Sequence, residues 1–181
     1  EYNNRYTIAP SLSYQLTDQT ALTAEYIYQY SQMSLVGAAY VFSANGFADL
    51  PRDFTLAEPN IDPTDLSEHN VFLNLTHKID DHWDITTQLA YIQYKQEGSS
   101  LWANSVEPNG DITRSLSSFD ALGLQKLGQV FLTGNMQTGQ VRHQILAGLD
   151  MAHKDYYADW WQTGVIGKSI AFNIYTPTYG I

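Results

Sequence analysis

A long run of period-two alternation is the feature that most constrains the fold of this chain. In residues 6–16 the large or apolar residues occupy the even positions, and small or polar residues occupy the odd ones. A second alternating run covers residues 22–30, and the intervening Thr17-Asp18-Gln19-Thr20 has turn chemistry. Such alternation places the two residue classes on opposite faces of a β-strand. The sequence therefore predicts a long β-hairpin at its beginning.

The same unit recurs twice. A second hairpin is predicted from residues 69–79 and 84–91, with Phe72 out of phase and the alternation lost beyond Tyr91. A third pairs residues 130–136 with residues 145–151. The prediction is about six strands, with tight turns at 17–20, 80–83 and 138–141 and long loops at about 32–67, at 98–127 and from 156 onward.

These strands reach the roughly nine to eleven residues that a tilted strand needs to cross a bilayer. Tight turns at one end and long loops at the other are typical of an outer-membrane barrel. One predicted face is polar and would line a hydrated lumen, whereas the apolar face would meet lipid. The polar face is formed by Ser11, Ser13, Gln15, Thr23, Glu25, Asn70, Asn74, Lys78, Gln88, Gln129, Thr133, Asn135 and Gln137. Aromatic girdle positions on the apolar face are Tyr6, Tyr14, Tyr28, Tyr30, Trp83 and Tyr91.

Composition excludes several other classes of protein. The net charge of −10, without any cluster of Lys or Arg, argues against a nucleic-acid partner. There is no cysteine, so disulfides and thiolate chemistry are excluded. The five histidines have no recognised metal-ligand spacing, and no G-x-S-x-G nucleophile motif occurs. We therefore predict no catalytic residues and no protein metal site.

Three segments of the sequence carry further information. The first is the hairpin at the beginning of the chain. The second is the stretch Leu50-Pro51-Arg52-Asp53-Phe54 followed by Ala57-Glu58-Pro59, and the third is His143-Gln144-Ile145-Leu146-Ala147-Gly148-Leu149-Asp150. Together these segments resemble the barrel of TonB-dependent ferric-siderophore receptors, especially the ferrichrome or hydroxamate type. Ala57 stands where this family usually has Gly, and Ile145 stands where Leu is common.

The resemblance implies an all-β fold, an antiparallel up-and-down transmembrane β-barrel of which this chain supplies about six of 22 strands. Residues 1–181 would belong to the barrel domain, without the N-terminal plug domain. The whole protein would be a multi-pass barrel in the outer membrane of a Gram-negative bacterium, in contact with its lipid. It would bind a ferric siderophore, of hydroxamate type, at the extracellular mouth and import it with energy from TonB, which acts through the plug. Since the siderophore ligates the iron, the protein would need no cofactor and would not be an enzyme.

Ligand contacts are expected from aromatic side chains in the long loops, because a ferric chelate exposes apolar backbone and carbonyl oxygens. Tyr40 and Phe42 in the first long loop and Trp102 in the second are the main candidates. Arg52 is a candidate for an anionic group, and a structural bond within its own turn is the alternative. A second aromatic cluster comprises Tyr156, Tyr157, Trp160 and Trp161, of which Tyr157 and Trp160 are candidate contacts. Packing within a loop or a membrane girdle is the alternative for all these rings.

Two other functional classes stay open at this stage. One is a different outer-membrane barrel with an enzyme site at its rim, for which Asp150 and His153 would be candidates. The other is a soluble all-β adhesion or carbohydrate-binding module, in which the alternation would hide one face of a sandwich.

Overall fold

The structure is a computed structural model that describes residues 3–34, 37–166 and 172–180, and the regular elements among them are all β-strands. Among these residues no helix is long and apolar enough to cross a membrane. The strands are β1 (Asn3–Ile8), β2 (Ser11–Thr17), β3 (Thr20–Met33), β4 (Thr64–Lys78), β5 (Trp83–Val106), β6 (Asp111–Thr138), β7 (Val141–Ile166) and β8 (Phe172–Asn173).

All eight strands belong to one antiparallel sheet, in the order β1-β3-β4-β5-β6-β7. β2 also pairs with β3, and the short β8 pairs with β6. β1 and β2 are the two halves of the first predicted strand, interrupted at Ala9 and Pro10 because proline has no N–H for the ladder. The predicted all-β class and the sequential up-and-down order of the strands are confirmed.

The tight turns all lie at one end of the sheet, because each consecutive pair of long strands is antiparallel. The second of them is closed by Asp80, whose Oδ1 accepts hydrogen bonds from the amides of His82 at 2.7 Å and Trp83 at 2.9 Å. The other end carries residues 37–63, which contain no strand, as predicted for the first long loop. This end is called the loop end below.

The prediction of long loops at 98–127 and from 156 onward is wrong. β5 and β6 run through the first of these segments and are joined only by residues 107–110. β7 continues to Ile166, and the rest of the predicted third loop includes residues 167–171, which lie outside the described part of the chain. Serines and glycines interrupt the apolar alternation here, so the strands depend on ladder pairing and on packing against residues 37–63, which no local pattern encodes.

Residues in register across the strands form two contrasting faces. One cross-strand row on the apolar face contains Tyr14, Leu22, Leu75, Thr87, Val130 and Leu149. A matching row on the polar face contains Ser13, Thr23, Asn74, Gln88, Gln129 and Asp150. Leu149 and Met151 on the apolar face are 74% and 75% exposed, so no second layer of the described chain covers it as a soluble sandwich would require.

Aromatic rings border the apolar face at two heights. Trp83 lies beside the tight turns. Tyr30, Lys95 and Tyr157 share one cross-strand row, which crosses β5 twelve positions beyond Trp83. At about 3.3 Å per residue this separation is about 40 Å along the strand. Strands tilted by about 45° would make it about 28 Å, close to the roughly 30 Å hydrocarbon core of a bilayer. Tyr14 and Tyr91, two of the predicted girdle residues, lie between these two heights. The girdle assignment therefore stays a prediction.

Candidate functional site

The loop end contains the buried apolar core of the described chain. Residues 37–63 fold back onto the hairpin formed by the last part of β5 and the first part of β6. The core residues are Ala38, Leu56, Leu101, Ile112, Phe172 and Ile174. Three separate stretches of sequence therefore pack together, namely residues 37–63, the β5–β6 hairpin and residues 172–180. This assembly is called the loop cluster below.

A buried ion pair joins the three parts of the loop cluster. Arg114 Nη1 lies 2.6 Å from Glu58 Oε1, and the two side chains are 1% and 2% exposed. Arg114 Nη1 also donates a hydrogen bond to the carbonyl of Leu56 at 3.0 Å, and the guanidinium lies 4.1 Å from the ring centre of Phe172. The amide of Gly180 donates to Glu58 Oε2 at 2.8 Å. A charge buried to this degree requires these partners, so the pair holds the three segments in one arrangement.

Hydrogen bonds to Asp49 fasten the tip of the first long loop to the last described segment. Tyr175 Oη donates to Asp49 Oδ2 at 2.8 Å, and Ser43 Oγ and Asn45 Nδ2 donate to the same oxygen. These bonds, that from Ser43 first, hold the pKa of Asp49 below its ordinary value, so Asp49 is charged at neutral pH. Burial raises the pKa of Tyr179, whose hydroxyl donates to the carbonyl of Thr55 at 2.9 Å.

Two of the predicted contact residues are brought together in the loop cluster. The rings of Tyr40 and Trp102 stack with centres 5.5 Å apart and planes inclined by 16°. Both remain accessible, with exposures of 61% and 40%. Gly37 makes this approach possible, because it has a φ of +87° and a Cβ there would lie 2.6 Å from the Trp102 ring. An exposed aromatic surface results, called the Tyr40–Trp102 platform below.

Phe42 and Arg52 lie together elsewhere in the loop cluster. Both line a shallow hollow of about 350 Å³ formed by residues 39–54, with Leu50, Pro51 and Phe54 among its other walls. Phe47 at its rim is fully exposed. The predicted candidates from the first loop are therefore divided between this hollow and the Tyr40–Trp102 platform.

The second predicted aromatic cluster is divided between the two faces of β7. Tyr157 pairs in register with Leu122 and lies on the apolar face in the row of Lys95. Trp160 lies on the opposite face and packs against Phe119 with ring centres 4.9 Å apart. Tyr156 shares the face of Trp160 by strand alternation. The side chain of Trp161 lies outside the described residues.

The residues considered for an enzyme site are not brought together. Asp150 and His153 belong to opposite faces of β7, and His153 Nε2 contacts Asp155 Oδ1 at 3.1 Å. Within residues 3–34, 37–166 and 172–180, no group of three acidic, His or Cys side chains is arranged to hold a metal ion. The loop end itself presents exposed rings, hydrogen-bonding groups and charged side chains.

No protein-family model matches the chain. Among curated proteins, a ferrioxamine B receptor of Salmonella typhimurium is 26% identical over 185 residues, which cover 97% of this chain and 25% of that protein. A metal-pseudopaline receptor of Pseudomonas aeruginosa is 28% identical over 187 residues, with the same coverages. The chain thus spans about a quarter of the length of the curated relatives that it matches.

Among solved structures, the ferripyoverdine receptor of the outer membrane of Pseudomonas aeruginosa, bound to ferripyoverdine, superposes with a TM-score of 0.68. The match covers 88% of this chain and 22% of the receptor at 17% identity, so it shows a shared fold. All three similar proteins are receptors and none is an enzyme, which supports the prediction of a non-catalytic protein.

Proposed function

We propose that the protein is an outer-membrane receptor for a ferric siderophore and that the chain is part of its β-barrel wall and extracellular mouth. The observation that carries this proposal is the two-ended sheet. Tight turns close one end, and a folded cluster with exposed aromatic rings forms the other. The similarity of 97% of the chain to named receptors agrees with this arrangement.

The membrane placement rests on the exposed apolar face and its two aromatic borders. Residues 1–181 would form part of the barrel domain, and the tight turns would face the periplasm. TonB would act through the plug region of the whole receptor. The full-length protein should be recovered with the outer membrane and require detergent for extraction. Recovery in the soluble fraction without detergent would contradict the placement and would favour a soluble all-β binding module.

The ligand would contact the Tyr40–Trp102 platform first, because its rings are both exposed and held in a fixed stack. Phe42 and Arg52 in the neighbouring hollow, and Trp160 below the loop cluster, are further candidate contacts. Tyr157 is the least favoured candidate, since its ring points to the proposed lipid side. Iron would remain ligated by the siderophore, and the subclass that we propose is the hydroxamate.

Binding of ferric hydroxamates by the full-length protein in detergent tests the function. Tyr40→Ala and Trp102→Ala should each weaken binding about 10- to 100-fold, as is usual when an anchoring aromatic is truncated. Tyr157→Ala is the comparison variant, and we expect it to change the affinity less than threefold. Tight binding of another chelate class, or of a chelate of another metal, would refute the hydroxamate assignment only. Absence of binding to every chelate class would refute the receptor function.

A further inference from the structure

The charges of the loop cluster are strongly unbalanced. Arg114 and Glu58 neutralise each other inside the core. The remaining charges of residues 37–63, 104–114 and 172–180 are the carboxylates Asp49, Asp53, Asp62, Glu107 and Asp111 and a single guanidinium, that of Arg52. All except the half-buried Asp111 are exposed. The exposed surface of the loop cluster, of which the Tyr40–Trp102 platform is a part, therefore carries a net negative charge.

A surface of one sign attracts ligands of the opposite sign and repels ligands of the same sign before any contact forms. Aromatic faces add to this preference, because the faces of Tyr and Trp rings attract cations. Among the described residues of the loop cluster, Arg52 is the one exposed cation. It lies in the separate hollow lined by Phe42 and is outnumbered by its neighbours Asp49 and Asp53.

We propose that the platform selects chelates by overall charge, accepting a neutral or cationic ferric complex and disfavouring an anionic one. This inference rests on the proposed receptor function and narrows its ligand class. We take the charges of ligand and protein to be about 10 Å apart in water, with a Debye length of about 10 Å in 0.1 M salt. An excess of four carboxylates then changes the dissociation constant roughly threefold for each unit of charge on the ligand. A cationic chelate should thus bind about tenfold more tightly than its anionic counterpart.

The test uses one linear ferric trihydroxamate in three forms that share the iron centre. The first form keeps a free terminal amine and is cationic, the second is acetylated there and neutral, and the third is succinylated there and anionic. The full-length protein in detergent should bind them in that order at 0.1 M salt. In 1 M salt, where the Debye length is about 3 Å, the order should largely disappear.

Two matched double variants test which acidic residues cause the charge preference. Asp53 and Asp62 are exposed acids of the loop cluster, whereas Asp18 and Asp81 are exposed acids of the tight turns at the other end of the sheet. β5 alone is 24 residues long, or about 80 Å, so charge at the tight turns is fully screened from the loop cluster. The double variant Asp53→Asn/Asp62→Asn should reduce the cation-to-anion ratio about threefold, and Asp18→Asn/Asp81→Asn should leave it unchanged.

Equal affinity for the three forms, a preference for the anionic form, or an equal effect of both double variants would overturn the charge selection while leaving the receptor function intact. Failure of all three forms and of every other ferric chelate to bind would instead refute the proposed function itself. The two failures are therefore distinguishable.

Discussion

The buried pair of Arg114 and Glu58 gives the sharpest prediction about the loop cluster. Arg114→Met keeps a long apolar side chain but removes the guanidinium, and with it the contacts to Glu58, to the carbonyl of Leu56 and to the Phe172 ring. Glu58 then keeps the amide of Gly180 as its remaining charge-stabilising partner. We expect residues 37–63 to detach from the sheet, while the strands, which are held by their own ladders, stay folded.

The magnitude follows from the burial of both groups. Removing one member of a buried ion pair typically costs about 3–5 kcal/mol, because the other charge is left without its counter-charge. At about 1.36 kcal/mol per factor of ten, the equilibrium for local opening of the loop should rise by about 150- to 5,000-fold. An exposed pair such as Lys95 and Glu97, 2.7 Å apart but solvent-accessible, should contribute only about 0–1 kcal/mol.

Amide hydrogen exchange on the full-length protein measures this opening directly. In Arg114→Met the protection of residues 37–63 should fall by the factor given above, with β4 unchanged. Lys95→Met should change protection by less than about fivefold. The double variant Glu58→Leu/Arg114→Met should recover most of the loss, since apolar replacement of a whole buried pair is often neutral. A loss in Arg114→Met no larger than in Lys95→Met would refute the reasoning.

Two further predictions concern the apolar face and the Asp49 contacts. Leu149→Arg should destabilise the full-length protein in lipid vesicles by about 2–4 kcal/mol in denaturant unfolding, whereas Gln129→Arg on the polar face should have little effect, and equal effects would contradict the assignment of the faces. Since the pKa of Asp49 is lowered by folding, its contribution to loop stability is complete above about pH 4 and is lost as the pH falls through the lowered pKa. Hydrogen exchange of residues 43–49 should show this acid-induced loss, and Asp49→Asn should abolish it; the same pH dependence in both proteins would exclude Asp49 as the cause.

The hairpins could be predicted because the residue type at each strand position indicates which face of the sheet that position occupies. The break in alternation at Phe72 reports its true position, because Phe72 lies on the polar face in register with Ala90. The family-like motif ending in Gly148 and Asp150 also has a physical reason. A Cβ at Gly148 would lie 2.7 Å from the Cβ of Phe131 on β6, so a side chain there would collide with its cross-strand neighbour.

The β5–β6 hairpin beyond Gly98 could not be predicted from its own residues. Ser99, Ser100, Ser117 and Ser118 pair with one another beside the apolar pair Leu101 and Leu116, so apolar alternation is too short to detect. Tyr40 and Trp102 could be named from residue type, but their stacking depends on Gly37 and on a fold that joins residues 62 positions apart. The sequence alone does not identify Arg114, because a single Arg between Thr113 and Ser115 carries no recognisable signal. Glu58, by contrast, lies in the Ala57-Glu58-Pro59 motif, which was a signal for it.

One face of β5 and β6 has different surroundings along its length. By strand alternation Leu89 and Lys95, on the proposed lipid side, share a face with Leu101, and Leu122 shares it with Arg114. The part of this face nearest the tight turns is apolar and exposed, whereas the part at the loop end is covered by residues 37–63 and 172–180.

Between the two parts, Asp65, Glu97, Asp120 and Asp159 lie in one cross-strand row. Like charges directly opposite one another destabilise a sheet unless water or counter-charges screen them. Tyr30 donates to Asp65 at 2.8 Å and Lys95 pairs with Glu97, and three of the four carboxylates are exposed to solvent. This row therefore requires a hydrated level between lipid and the loop cluster. Because carboxylates would be expelled from hydrocarbon, the proposed bilayer must end below this row. Asp155 lies on the same face of β7, four positions nearer the tight turns, and places the limit lower still.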